Sequence, residues 1–294
     1  MKIKKAVITA GGLGTRLLPA TKAVPKEMIP IVDKPAIQYI AEECAAAGIT
    51  DILIVTARGK TAIEDHFDRS PELEAKLAES GKTELLEEIT GISSAARFTF
   101  VRQPFQTGLG GAILCAESFV GGEPFAVLYG DDVIVGKDPA IGQLARAYEK
   151  YGKSVVGINR VPREDICKYN SMKLEPMDES RLYAVYDMNE KPQRGEEFSD
   201  FAILGRCILE PSIFDILRRT PKGKGGELQL TDAMREVAVS DGMIGVDFTG
   251  NRYDIGSRMG IIKASIEVEL MREELHAELA EYIKMLAEKL DRNS

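Results

Sequence analysis

The chain has 294 residues with 44% hydrophobic content, enough to bury a large core as one domain or one with appendages. Its net charge of −8, sparse aromatics and lack of tryptophan argue against a nucleic-acid surface, and its two histidines against a His-ligated metal site. Four scattered cysteines (Cys44, Cys115, Cys167, Cys207) show no C-x-x-C spacing and read as buried free thiols of a reducing, cytoplasmic compartment, and no segment reaches membrane-spanning length.

Residues 6–10 (AVITA) are β-branched and apolar, as in a buried parallel strand. The apolar run stops at Gly11, too early for a signal peptide despite Lys2, Lys4 and Lys5 before it. Gly11, Gly12 and Gly14 then let the backbone approach a ligand closely, and Arg16 adds a planar fork of donors. Residues 1–35 carry seven Lys/Arg (Lys2, Lys4, Lys5, Arg16, Lys22, Lys26, Lys34) against two acids (Glu27, Asp33). Cations gathered around glycines in an acidic protein point to a bound phosphate; the competing reading is a strand-to-helix turn with solvated cations. Pro19, Pro25 and Pro30 pre-order this loop. It is neither a dinucleotide fingerprint, since the third glycine is missing, nor a P-loop, since no G-x-x-x-x-G-K-[ST] run exists.

A helix is expected over 36–47, opened after Pro35 and stopped by Gly48. Strand-like runs at 51–56, 98–103, 125–129 and 154–160 alternate with helical ones, which implies βαβ units and a mostly parallel sheet with helices on both faces. Residues 72–89 read as helical, interrupted by Gly81, and as an insertion over one sheet edge. Beyond residue 162 the strands 172–175, 182–190 and 201–209 follow one another, as in an antiparallel region continuing the sheet. One amphipathic helix is expected over 261–290, with Ile262, Ile266, Leu270, Leu279, Ile283, Leu286 and Leu290 in register.

In such sheets ligands sit beyond the carboxyl ends of the strands, where Gln103, Asp131 and the pair Glu190–Lys191 fall. Asp131 and Asp132 follow a buried strand and suit Mg²⁺, which takes carboxylates together with substrate phosphates; a turn or helix cap is the competing reading. Glu190–Lys191–Pro192 sets opposite charges beside a rigid proline, although an exposed surface pair looks the same. The Gln103 amide matches the edge of uracil.

The run GGLGTRLLPATKAVPKEMIPIVDKP resembles the signature of sugar-nucleotide pyrophosphorylases, G-x-G-T-R followed by P-K, and most closely their bacterial UTP–glucose-1-phosphate uridylyltransferase branch. AIEDHFD, GLGGAILCA, YGDD, NEKP, GGELQLTDA and YDIGSRMG extend the likeness in order along the chain. The resemblance implies an α/β, Rossmann-like nucleotidyltransferase fold with a smaller antiparallel sugar-side region. It implies one domain (1–294), with a nucleotide-binding part (1–160), a sugar-phosphate part (161–256) and a C-terminal helix (257–294) open to subunit contact in a homodimer or homotetramer. It also implies UTP, glucose 1-phosphate and pyrophosphate as ligands, Mg²⁺ as cofactor, and neither nucleic acid nor membrane as partner.

By the same resemblance, Gln103 and the Gly108 backbone read the base, while Ala10, Gly11 and Glu27 frame the nucleoside. Arg16 holds the departing phosphates, Lys26 the α-phosphate and Lys191 the sugar phosphate. Glu190 binds sugar hydroxyls, Gly205 the sugar through its backbone, and Gly225–Gly226–Glu227 forms a loop at the sugar end. Asp131 carries the metal, with Asp132 beside it and Asp254 as a second metal carboxylate; for Asp254 a helix cap is the alternative. Two departures stand out: Gly111 where relatives often carry histidine, and Tyr169–Asn170 where glycine commonly follows the tyrosine, a change that reads as affecting a turn.

The implied reaction is attack of a sugar phosphate on a nucleoside triphosphate. The nucleophile is already an anion, so the lack of a Ser/His/Asp or Cys/His arrangement is expected. Alternatives are transfer from dTTP or CTP, or a non-catalytic nucleotide sensor; the missing third glycine disfavours a nicotinamide-dependent dehydrogenase.

Overall fold

The computed structural model describes residues 1–293, apart from the side chains of Lys224 and Asn293. In chain order the first half runs β1 (Lys5–Thr9), β2 (Pro30–Ile31), β3 (Lys34–Pro35), α1 (Ala36–Ala46), β4 (Asp51–Thr56), α2 (Thr61–Phe67), α3 (Pro71–Glu79), α4 (Thr83–Ser94), β5 (Arg97–Arg102), α5 (Leu109–Leu114), α6 (Glu117–Val120), β6 (Phe125–Tyr129), β7 (Asp132–Val135) and α7 (Ala140–Tyr151). The second half runs β8 (Val155–Arg160), β9 (Asn170–Pro176), β10 (Leu182–Glu190), β11 (Phe201–Leu209), α8 (Ile213–Arg219), α9 (Leu230–Ser240), β12 (Met243–Asp247), β13 (Asn251–Asp254), α10 (Arg258–Leu270) and α11 (His276–Asn293).

Nine strands form one sheet in the order β5-β4-β1-β6-β11-β8-β12-β10-β9. The pairings β4/β5, β1/β4, β1/β6 and β8/β12 are parallel, whereas β11 runs against both β6 and β8, and β10 against β12 and β9. The expected mostly parallel sheet with an antiparallel continuation is therefore present. Two details were not legible: β11 threads between β6 and β8, and the unexpected strand β12 separates β8 from β10.

Alternation along the strands fills two apolar layers. Ala6 and Ile8 of β1 face one layer with α1 and α7, and Val7 faces the other with α5, α8 and α9. Every residue of β11 is buried, as a central strand covered on both faces requires. Helices α3 and α4 bury no residue and are separated at Gly81, as expected of an insertion over the β5 edge.

The expected single C-terminal helix is two. It breaks between Leu270 and His276, where the Arg272 guanidinium makes paired 2.8 Å contacts to Asp33 and reaches the Tyr39 hydroxyl at 3.2 Å. Those contacts hold the end of α10 to the loop before α1, and α11 departs from there.

Candidate active site

The loop after β1 is built of short turns, with Thr21 Oγ1 donating to Gly14 O at 2.8 Å and the Lys26–Met28 turn closing it. Lys26 is nearly enclosed, and its ammonium contacts Asp131 Oδ2 while lying under Gly12. Burial raises the Asp131 carboxyl, but the pull of Lys26 and Arg16 outweighs it and leaves the group below the ordinary range. Glu27 faces inward: it is fully buried, and Lys60 Nζ bridges its carboxylate at 2.8 and 2.9 Å and Ala10 O at 2.5 Å. Burial pushes Glu27 up and Lys60 down, and each partner opposes the other's shift. Ala10 and Glu27 thus support the loop from beneath, and Lys60, four residues beyond the carboxyl end of β4, is the member of this group that sequence reasoning missed. Lys34 leaves the site altogether, pairing with Glu42 at 2.8 Å and lying over the Tyr39 ring.

Two cavities meet at Arg16, Leu109, Tyr129 and Asp131. The larger, about 480 Å³, is lined by Gly11, Gly12, Lys26, Gln103, Gly108 and Glu227. The smaller, about 250 Å³, takes in Asp132, Tyr169, Asn170, Glu190, Arg252 and Asp254. Glu227 borders the larger compartment, on the Gly108 side. A separate cavity of about 490 Å³ opens at the opposite sheet end beside Lys2, Lys4, Arg97 and Arg146; its two arginines are paired with Asp51 and Asp138.

Gln103 Nε2 donates to Thr107 Oγ1 and to Gly108 O, both at 3.3 Å, which turns Oε1 towards Gly11. The departure at Gly111 has its reason here: a Cβ at that position would lie 1.9 Å from Thr107 Oγ1. The Thr107 hydroxyl fills the space that a larger residue at 111 needs, and it braces the Gln103 amide instead.

Glu190 arrives by a route the strand-end rule does not cover. Strand β10 runs against the parallel set, and an irregularity between Val185 and Asp187 interrupts its pairing with β9. The β9–β10 hairpin packs against β11, and Glu190 enters the smaller cavity from there. Burial raises its carboxyl, opposed by Thr231 and Lys191. Lys191 stands beside it, Nζ 3.7 Å from the Glu190 carboxylate, at φ 45, an uncommon conformation for a non-glycine residue. Its backbone N–H donates to Tyr169 O at 2.7 Å.

Asp131, Asp132 and Asp254 converge, but not as equals. The small sheet β7/β13 pairs Asp132 with Asp254 in register. The Asp132 side chain packs over Gly205, whose φ of 73 and lack of Cβ make room for it, so Gly205 lies beneath Asp132 and lines neither cavity. Burial pushes the Asp132 carboxyl up to about 6, against the pull of Arg252. Arg252 makes an ion pair with Asp132 Oδ1, yet that atom accepts no aligned hydrogen bond. Asp254 Oδ1 accepts from Gly256 N at 2.9 Å and Arg16 lies 3.8 Å from Oδ2; the cap of α10 is Ser257, not Asp254.

The remaining two carboxylates approach one another beside Gly256. A Cβ built on Gly256 would sit 2.7 Å from Arg16 Nη2, 3.0 Å from Asp254 Oδ1 and 3.3 Å from Asp131 Oδ2, so the two carboxylate oxygens and the Arg16 guanidinium crowd around one point. No group of three or more His, Cys, Asp or Glu able to hold a metal exists among the described residues. Two carboxylates suit an ion that keeps water and phosphate oxygens as its other ligands.

The nucleotidyl transferase family model matches residues 5–270. A UTP–glucose-1-phosphate uridylyltransferase of Bacillus subtilis strain 168 is 52% identical over 96% of this chain and 95% of its own. The crystal structure of a UDP-glucose pyrophosphorylase complexed with UDP-glucose aligns at TM-score 0.84 and 43% identity, covering 92% of this chain and 100% of that one. The UTP-bound UGPase of Acinetobacter baumannii aligns at TM-score 0.88 and 36% identity, covering 96% and 98%. The chain belongs to the nucleotidyl transferase family, in its UTP–glucose-1-phosphate uridylyltransferase branch.

Proposed function

We propose that this chain transfers a uridylyl group from UTP to glucose 1-phosphate, giving UDP-glucose and pyrophosphate. The observation that carries this reading is the pair of joined cavities. One is lined by an amide and a cationic glycine loop, the other by buried polar groups, and Asp131 stands at their junction. A phosphate oxygen of the sugar phosphate forms a bond to the α-phosphorus. The bond to the β-phosphate oxygen breaks, and its electron pair leaves with pyrophosphate.

The protein's part is positioning and charge neutralisation. Gln103 and the Gly108 backbone orient the base, and Gly11, Gly12 and Gly14 admit the phosphates. Lys26 faces the α-phosphate, Arg16 the departing phosphates and Lys191 the attacking phosphate, while Glu190 accepts from sugar hydroxyls. Asp131 and Asp254 hold Mg²⁺, with Asp132 a buried support. When bound, the ion neutralises phosphate charge as a Lewis acid. Residues 1–160 supply most of the nucleotide's groups and 161–256 most of the sugar phosphate's, with Glu227 on the larger cavity and Arg16, Asp131 and Asp132 on the smaller as exceptions.

Incubation with Mg²⁺, glucose 1-phosphate and each NTP in turn tests this by pyrophosphate release. Release with UTP well above dTTP and CTP, lost on chelation with EDTA and restored by Mg²⁺, is the expected result. Absence of release with every NTP rejects it in favour of a sensor.

The C-terminal hairpin leaves Met259, Ile262, Met271, Tyr282 and Met285 more than half exposed, and α11 packs chiefly on α10. A second copy of the chain covers this surface in our reading, as a homodimer or a homotetramer built from it. Light scattering at micromolar concentration then gives a dimer or larger, and a monomer alone rejects the idea. No helix is long and apolar enough to cross a membrane among the described residues, and the free thiols fit a cytoplasmic setting, although only Cys44 and Cys207 are buried as expected, Cys115 being half-buried and Cys167 exposed.

A further inference from the structure

Asn170, which in sequence looked like a change to a turn, opens β9 and stands in register opposite Glu190 of β10. Directly paired residues on adjacent antiparallel strands project to the same side, about 4.5–5.5 Å apart at Cβ. Both line the smaller cavity, together with Thr231 and Arg252. Asn170 is 7% exposed, and its Oδ1 accepts from the backbone N–H of Ile203 at 2.9 Å. With Oδ1 anchored to β11, the planar amide can present only Nδ2 elsewhere, as a pair of donors. No protein acceptor takes Nδ2 among the described residues. Nδ2 keeps access to the cavity, where a ligand that brings an acceptor can meet it.

We propose that Asn170 helps select the acceptor sugar, its Nδ2 donating to a hydroxyl adjacent to the one whose proton Glu190 accepts. Each sugar hydroxyl is both donor and acceptor, so a carboxylate acceptor beside an amide donor reads two neighbouring hydroxyls of a polyhydroxylated ring. The proposal rests on the uridylyltransferase reading, and it separates two roles within one side chain. The Oδ1 bond to Ile203 holds the pocket together; Nδ2 recognises the sugar.

The experiment compares wild type, Asn170→Ala and Asn170→Asp with UTP, Mg²⁺ and either glucose 1-phosphate or each of its monodeoxy analogues. Asn170→Asp retains the acceptor for Ile203 and lacks the donor, so it stays informative if the alanine variant folds poorly. In both variants KM for glucose 1-phosphate should rise about 10-fold while kcat and KM for UTP change less than about 2-fold, the signature of one lost sugar hydrogen bond. One monodeoxy analogue should cost the wild type about 10-fold in kcat/KM and cost Asn170→Ala little beyond its own loss, since the partner is already gone. Equal analogue penalties in all three proteins, or an unchanged KM in Asn170→Asp, overturn the assignment while leaving the transferase reading intact. A wild type that releases no pyrophosphate overturns both.

Discussion

Lys26→Ala should lose about 10²–10³ in turnover at saturating substrates while its unfolding midpoint stays close to wild type, because it removes one preorganised charge from the reacting centre. Lys26 is an enclosed cation of the larger cavity, in contact with Asp131 where the two cavities meet and 3.4 Å from the position a Cβ on Gly12 would take. Arg16, by contrast, is largely exposed and reaches Asp254 only at 3.8 Å. The loss should appear in kcat more than in KM for UTP, since charge on the α-phosphate grows as the new bond forms. Asp131 then loses the neighbour that contributes most to holding its carboxyl low, though Arg16 remains nearby. Lys26→Arg should recover only part of the activity, because a planar fork does not replace a compact ammonium in an enclosed site. Turnover of Lys26→Ala within a few-fold of wild type rejects the role given to Lys26.

The cationic loop was legible because its signal is local. Glycines, prolines and four cations sit within about two dozen residues, and the failed fingerprints narrowed the chemistry. What could not be seen was the charge balance that folding creates. The amino-terminal segment has a clear excess of cations. In the folded site Lys26 meets Asp131, Arg16 approaches Asp254, and Lys60 answers Glu27. Lys34 turns away to Glu42. Two of the loop's cations thus meet acids more than a hundred residues away, while its own Glu27 is taken by Lys60.

The carboxyl-end rule found Gln103 and Asp131 because β5 and β6 belong to the parallel set. It placed Glu190 in the site for a reason that does not hold, since β10 runs the other way and only the packing of its hairpin on β11 returns it. Arg252 was within reach of a simple argument: two residues before Asp254 on a strand, it lies on the same face. The break in the C-terminal helix was not, because it depends on a contact between Arg272 and Asp33, 239 residues apart.

The largest stability effect is expected from a residue with no contact to either cavity. Arg206 is fully buried in the central strand β11 and makes a two-pronged contact with Glu43, with Nη2 to Oε2 at 2.6 Å and Nε to Oε1 at 3.0 Å. It also donates to Gly205 O at 3.0 Å and to Asp132 O at 2.9 Å. Glu43 in turn accepts from the Ile141 backbone N–H at 2.8 Å, at the start of α7. One buried pair thus ties α1, α7 and β11 to the turn that presents Asp131. Arg206→Met leaves a buried carboxylate without its counter-charge and takes a donor from the Gly205 and Asp132 carbonyls, and should lower unfolding free energy by about 3–5 kcal/mol. Removing both charges should cost less than removing one, because no buried charge is then left without its partner. Glu43→Gln combined with Arg206→Met keeps an acceptor for Ile141 and should recover more than half of the single-variant loss. Denaturant unfolding of the wild type, both single variants and the double variant measures the coupling directly. If the double variant is as unstable as the sum of the two single ones, Glu43 and Arg206 act independently and the ion-pair account of the Asp131 turn fails.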